Sequence, residues 1–324
     1  MARVASIAAR ILTRHGADPA TARRAGGWSN LTWLVAGLAI RIAADAGSED
    51  LLREARLAAL LPPEVGYPRV VDSGVADGHA WMLAEEAPGI NLGLSAWSGL
   101  SWEQRRRALL ELWQRAEAAH RTTGAETGWH ARPTSPFYAA TPALAEAQLF
   151  PLEERRVLTL TQCATLRGAL DRLWRALPLG RAVLNHGDLN TENALWHDDH
   201  VTCLLDFEFA VIAPVELDVS EMVDKVCGPR EEPEDPADAA IVGRRLLRAA
   251  VTDAVLPALR QSGAADRLLG YTILRQLWSM NLWLAHVKDW ELGEDWTAWK
   301  PHRALTSLAS DHGGYLAPVL TQIR

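Results

Sequence analysis

The sequence predicts an α+β chain in two parts, a small mixed β/α unit followed by a larger, mainly helical one. Three observations carry that expectation. Short apolar runs separated by turn dipeptides fill the first quarter of the chain, among them Leu31–Val35 and Leu38–Ile42 on either side of Ala36-Gly37. A Pro88-Gly89 pair then interrupts the pattern. Beyond it, apolar residues recur at helical spacing over long windows, roughly 101–120, 155–177, 238–259 and 264–287. The expected units are therefore residues 1–88 and 89–324.

The elements follow in order. Val4, Ile7, Ala8, Ile11 and Leu12 share one face of a helix, expected to lie on the first unit like a lid. Gly26, Gly27, Trp28, Ser29 and Asn30 make a small-residue turn before a strand, where glycine lets backbone amides approach an anion. Leu51, Ala55, Ala58 and Leu61 line one face of the next helix, which also carries Glu54. Residues 66–74 read as loop then strand, and His79–Glu85 as another strand. In the second unit, Ser101 and Gln104 have the spacing of a capping box, and Leu109, Leu112, Trp113, Ala116 and His120 continue as a stripe. Residues 121–154 show little period and read as an insertion.

The densest chemistry lies at Val183–Trp196 and Val201–Glu208. Asn193 follows Asp188 by five residues, and Asp206 follows Asn193 by thirteen, all between short apolar runs. That is the spacing of a phosphoryl-transfer site, in which one Asp takes the proton of a substrate hydroxyl while an Asn and a second Asp hold magnesium. A nucleoside triphosphate brings several negative charges, and hard cations with oxygen ligands neutralise them. Asn193 offers a carbonyl and Asp206 a carboxylate. The run Ala194–Leu205, with the polar turn His197-Asp198-Asp199-His200, reads as a hairpin that fixes the distance between these two ligands.

His186-Gly187-Asp188 with Asn193, and Asp206-Phe207-Glu208, resemble the aminoglycoside phosphotransferase and choline kinase superfamily, over roughly residues 20–225. The resemblance implies a protein-kinase-like two-lobe fold. It implies a phosphate-binding turn at Gly27, Ser29 and Asn30, and a phosphate-gripping cation at Arg41 held by Glu54. It implies that the backbone of Glu85 and Ala87 meets the nucleobase, and that Asp218 supports the catalytic loop. Asp188 takes the role of base, and Asn193 and Asp206 that of magnesium ligands. His186 reads as a structural residue of the loop, and Glu208 as a partner close to the metal. The sequence departs from protein kinases, which have Lys in place of Arg41 and usually Arg and Gly in place of Gly187 and Glu208.

The implied activity is transfer of the γ-phosphoryl group of ATP or GTP to a hydroxyl of a small molecule, first of all an aminoglycoside-type or other antibiotic. A metabolite kinase acting on a choline-, homoserine- or sugar-like acceptor is the alternative, and a nucleotide-binding regulator that transfers nothing is a second. Composition narrows the partners. A net charge of −7 argues against nucleic acid, and no basic run marks a membrane-binding tail. The N-terminus is broken by Arg3 and Arg10, so neither a leader peptide nor a membrane span is expected, and a cytoplasmic location follows. Cys163, Cys203 and Cys227 are too scattered for a disulfide framework or a metal site. Two acidic stretches, 228–236 and 289–300, stand out, the second interleaved with Trp290, Trp296 and Trp299; each reads as a solvated segment or as a rim for a cationic acceptor.

Overall fold

The computed structural model describes residues 2–25, 30–123, 125–229, 238–286, 295–310 and 312–323. Strands β1 (Arg23–Ala25), β2 (Asn30–Val35), β3 (Leu38–Ala43), β4 (Val70–Ala76) and β5 (His79–Glu85) form an antiparallel sheet in the order β1-β2-β3-β5-β4. Ala36 and Gly37 both have positive φ, 49° and 77°, which is the backbone a two-residue hairpin needs to match strand twist. Helix α1 (Ala2–Arg14) buries Val4, Ile7, Ala8, Ile11 and Leu12 against Ile40, Ile42, Trp81 and Leu83. The expected lid is thus a core element: its apolar stripe is sealed onto the sheet and has nothing left with which to open and close. Helix α2 (Asp50–Ala58) packs near β5, with Leu51 in a small cluster with Ala43 and Ala80.

Gly89 marks the passage to the second part. Its φ of 125° is open to glycine, and a Cβ there would lie 2.8 Å from the Trp196 carbonyl oxygen. Strands β6 (Ile90–Asn91), β8 (Ala194–His197) and β9 (His200–Leu204) form one small sheet, and β7 (Ala182–Asn185) pairs with β10 (Val211–Pro214) in another. Asp198 and Asp199, at φ 49° and 64°, turn the chain between β8 and β9.

The rest is mainly helical: α3 (Leu94–Gly99), α4 (Trp102–His120), α5 (Ala125–His130), α6 (Pro142–Glu154), α7 (Leu160–Ala176), α8 (Glu216–Cys227), α9 (Asp238–Val255), α10 (Ala264–His286), α11 (Lys300–Leu308) and α12 (Ala317–Ile323). The capping box at Ser101 and Gln104 is formed, and the stripe from Leu109 to His120 is buried. Residues 121–154 are not an irregular insertion. Thr141 caps α6 through the Leu144 amide, Pro142 opens it, and Ala145, Leu149 and Leu152 go into the core. Exposed Leu144 and Phe150 on the other face, with Pro151 inside the helix, blur the period that would have announced it. Among the described residues no helix is long and apolar enough to cross a membrane.

Candidate active site

The catalytic-loop sequence leaves β7 at Asn185 and turns at Gly187, where φ is 84° and a Cβ would lie 2.2 Å from the Phe209 carbonyl oxygen. One buried carboxylate organises the turn. Asp218, on α8, accepts hydrogen bonds from the amides of His186 (2.8 Å) and Gly187 (3.0 Å), and His120 Nε2 lies 2.8 Å from Oδ2. Burial alone would raise the Asp218 carboxyl, but the His120 hydrogen bond and the other donors outweigh it and hold the group below the ordinary Asp value. His186 Nε2 lies 2.7 Å from the Leu205 carbonyl, and the Asp188 amide donates to His186 Nδ1. His186 is therefore a strut between the two acidic segments, with both ring nitrogens engaged.

Asn193 Nδ2 donates to the Asp188 backbone carbonyl (2.9 Å) and to Asp188 Oδ2 (3.3 Å). Its amide nitrogen is thus used locally, and its carbonyl oxygen is the end left to face a cation. Asp206 sits in the left-handed region at φ 66° and ψ 57°, a conformation that Asp tolerates better than most residues. Arg41 Nη1 donates to both oxygens of Glu54, at 2.7 and 2.8 Å, and Nη2 to Asp206 Oδ1 at 2.7 Å. Glu54 is fully buried and also accepts from Tyr67 Oη (2.7 Å) and the Phe207 amide (3.0 Å). Burial raises its carboxyl, Arg41 pulls it back, and Asp206 pushes it up again. Glu208 Oε2 accepts from Asn30 Nδ2 at 2.6 Å and lies 4.0 Å from Arg41 Nη2.

Carboxylate oxygens of Glu54, Asp206 and Glu208 all fall within 4.8 Å of one another. Three carboxylates around one guanidinium leave a surplus of negative charge. An all-oxygen donor set of this kind, with the Asn193 carbonyl nearby in sequence, suits a hard divalent cation.

A cation from the large helical part reaches Asp188. Arg275 Nη2, from the middle of α10, lies 3.0 Å from Asp188 Oδ1, and its Nε lies 3.2 Å from Glu221 Oε1. Tyr138 Oη donates to the same Glu221 oxygen at 2.6 Å. The guanidinium lies over the rings of Phe137 (4.2 Å) and Trp278 (4.9 Å). Burial pushes the Glu221 carboxyl up to about 7, against the pull of Arg275. Further along α8, Asp224 is met by Tyr315 Oη and by Lys300 Nζ at 3.7 Å.

The family model for the phosphotransferase enzyme family (APH) matches residues 21–260. The chain belongs to that family. Its fold is shared with solved aminoglycoside phosphotransferases of low identity. A GDP complex of aminoglycoside 2'-phosphotransferase-IIIa superposes with a TM-score of 0.66 at 17% identity, covering 93% of this chain and 98% of the other. A ternary complex of APH(4)-Ia with AMP-PNP and hygromycin B gives 0.60 at 15% identity, covering 93% and 96%. A GDP and kanamycin complex of an APH(2") enzyme gives 0.54 at 18%, covering 83% and 89%. No curated protein sequence matches the chain. The two-part architecture is accordingly the kinase-like fold of this family, with a mixed sheet in the small lobe and helices in the large one.

In this phosphotransferase the expected residues fall into two groups. Arg41, Glu54, Asp206, Asn30 and Glu208 are linked in one network, and Asp188 and Asn193 in another. Gly27 and Ser29 lie outside the described residues, as do 230–236 and 289–294. At the lobe connection the amides of Glu85 and Glu86 donate to Arg69 and Gly37 carbonyls, whereas the Ala87 amide makes no backbone hydrogen bond among the described residues. The Glu85 side chain is taken by Arg69. Of the acidic Trp-rich stretch, Trp299 is buried beside Trp283, so it packs the core instead of lining a rim. Tyr67, Tyr138, Glu221 and Arg275 were missed by sequence reasoning. Two arginines, Arg267 and Arg275, within the apolar run of α10 were the available signal for Arg275.

Proposed function

We propose that this phosphotransferase moves the γ-phosphoryl group of ATP or GTP to a hydroxyl of a small molecule. The observation that carries the reading is the meeting of two networks: Arg41 is joined to Glu54 and Asp206, Asp188 is joined to Asn193, and the Leu205 amide beside Asp206 donates to the Asn193 backbone carbonyl at 2.8 Å. Arg41 grips the triphosphate, Glu54 and Tyr67 hold Arg41 in place, and the Ala87 amide and Glu85 carbonyl meet the nucleobase. Gly27, Ser29 and Asn30 form the phosphate turn. Asn193 and Asp206 would hold magnesium, which when bound neutralises phosphate charge. Asp188 accepts the hydroxyl proton as the acceptor oxygen bonds to the γ-phosphorus and the bond to the bridging oxygen breaks, so a nucleoside diphosphate leaves. The small lobe ends at about residue 88, and the lobe after it supplies base, metal ligands and acceptor site.

An aminoglycoside-type antibiotic is the leading acceptor. Kanamycin and hygromycin B appear in complexes of the solved relatives, which supports a hydroxyl-rich small molecule. One observation favours a less cationic metabolite as the second reading: the carboxylates of Glu221, which shares Arg275 with Asp188, and of Asp224, one turn further along α8, already face cations of the chain itself, Arg275 and Lys300. The test is magnesium-dependent release of ADP or GDP across kanamycin, hygromycin B, a macrolide, choline and homoserine. Asp188→Ala should lower turnover by about a hundredfold or more, the usual weight of general-base catalysis. Near-normal turnover in that variant removes Asp188 from the role. Tight nucleotide binding with no release on any acceptor or on water leaves a nucleotide-binding regulator.

A further inference from the structure

We propose that Arg275 is a positioning residue for phosphoryl transfer: it fixes the Asp188 carboxylate so that one chosen oxygen faces the acceptor hydroxyl. The inference rests on the reading of Asp188 above. A carboxylate at a loop can rotate about its side-chain torsions, and the two oxygens are equivalent until something distinguishes them. Here Oδ1 is held by Arg275 at 3.0 Å, while among the described residues Oδ2 has only the longer contact to Asn193 at 3.3 Å. Oδ2 is the oxygen left to align a hydroxyl.

Arg275 is itself held on several sides. Its Nε is tied to Glu221, Glu221 is tied to Tyr138, and the flat guanidinium is stacked on Phe137 and Trp278. An unsupported arginine carries several freely rotating bonds and would transmit no orientation. This one ends a chain of contacts that runs from Tyr138 through Glu221 and Arg275 to Asp188, and on to Asn193. The contacts of Arg275 thus bear on the base, and none of those named above joins it to Arg41, Glu54 or Asp206. A purely structural staple between α10 and the loop is the competing account, and it predicts lost stability without coupling to Asp188.

The experiment is steady-state kinetics of nucleoside diphosphate release on full-length protein with magnesium and ATP or GTP. Kanamycin, hygromycin B and water serve as acceptors. The variants are Arg275→Met, Arg275→Lys, Tyr138→Phe, Asp188→Ala and the double variants Asp188→Ala/Arg275→Met and Asp188→Ala/Tyr138→Phe. Arg275→Met should lower kcat by about ten- to a hundredfold, the cost of a misaligned catalytic group, with a much smaller change in nucleotide KM. Arg275→Lys should recover part of that loss. In the Asp188→Ala background, Arg275→Met should cost at most about twofold, because residues acting as one unit are strongly non-additive. Should Arg275→Met fail to fold, Tyr138→Phe carries the test, with a kcat loss of about threefold or more that vanishes in the Asp188→Ala background. Equal losses in both backgrounds, or wild-type kcat in Arg275→Met, would overturn the inference. Absence of release by the wild type with every acceptor overturns the phosphotransfer reading itself, which is a separate result.

Discussion

Asp218→Asn isolates the carboxylate that shapes the catalytic loop. Oδ2 serves both His186 N–H and His120, and Oδ1 serves Gly187 N–H. The cheaper orientation of the amide keeps its oxygen toward His186 and His120 and turns its nitrogen toward Gly187. One buried donor then faces another donor, at a cost of ~1–3 kcal/mol, and two charge-assisted bonds become neutral ones at about 1 kcal/mol each. The sum is about 3–5 kcal/mol. With ~2.1 cal/mol/K of unfolding entropy per residue, a chain of 324 residues melts with about 0.7 kcal/mol/K, so Tm should fall by about 4–7 °C at pH 7. Circular dichroism melts measure this directly. The pH dependence is a second check. The Asp218 carboxyl is held low in the folded protein, so its contribution is complete above the unfolded value of ~3.9 and is lost as pH falls through the folded one. The gap between wild type and variant should therefore narrow below about pH 4. A Tm loss under about 2 °C at pH 7, or a gap that widens in acid, would refute this account of the loop.

Two further substitutions probe the small lobe and the turn. Gly187→Ala puts a Cβ 2.2 Å from the Phe209 carbonyl in a left-handed backbone. That displaces Asp188, so kcat should fall by about a hundredfold while nucleotide binding, read by calorimetry, changes little. Arg41→Lys leaves a single ammonium where a guanidinium bonds Glu54 and Asp206 together. Loss of one charged hydrogen bond, ~1.5–3 kcal/mol, should raise nucleotide KM about tenfold or more, and an unchanged KM would remove Arg41 from phosphate binding.

What the sequence disclosed was local. Gly37 and Asp198-Asp199 announce hairpins because glycine and aspartate tolerate positive φ, and Ala36 adopts it beside Gly37. Ser101 and Gln104 announce a helix start because both halves of the cap lie within one turn. Asp188, Asn193 and Asp206 are readable because one loop and the short hairpin after it carry the spacing. The Arg41–Glu54 pair was also expected, from a resemblance in which strand and helix are neighbours in the chain. The cluster that holds Asp188 was not legible. Arg275, Glu221 and Tyr138 meet only because α8, α10 and the segment before α6 pack together, and no spacing along the chain encodes that packing. Helix α6 escaped notice because its buried stripe is narrow and interrupted by Pro151. The lid expected at residues 4–14 failed for a related reason: amphipathic period reveals that a face is covered, not what covers it.

The first residue and the middle of α2 are fastened to different things. Asp50 is bonded by Arg132, whose own amide donates to the Ala210 carbonyl, while Glu54 takes Arg41 from the sheet and the Phe207 amide from the turn after Asp206. Swinging the small lobe away would strip a fully buried carboxylate of partners on one side. Breaking such a pair costs ~3–5 kcal/mol, so roughly one molecule in a thousand would stand open at any moment. The carboxylate of Glu54 thus sets how often the sheet and the 206–209 turn part, and a substitution that weakens either contact would make the parted arrangement more frequent.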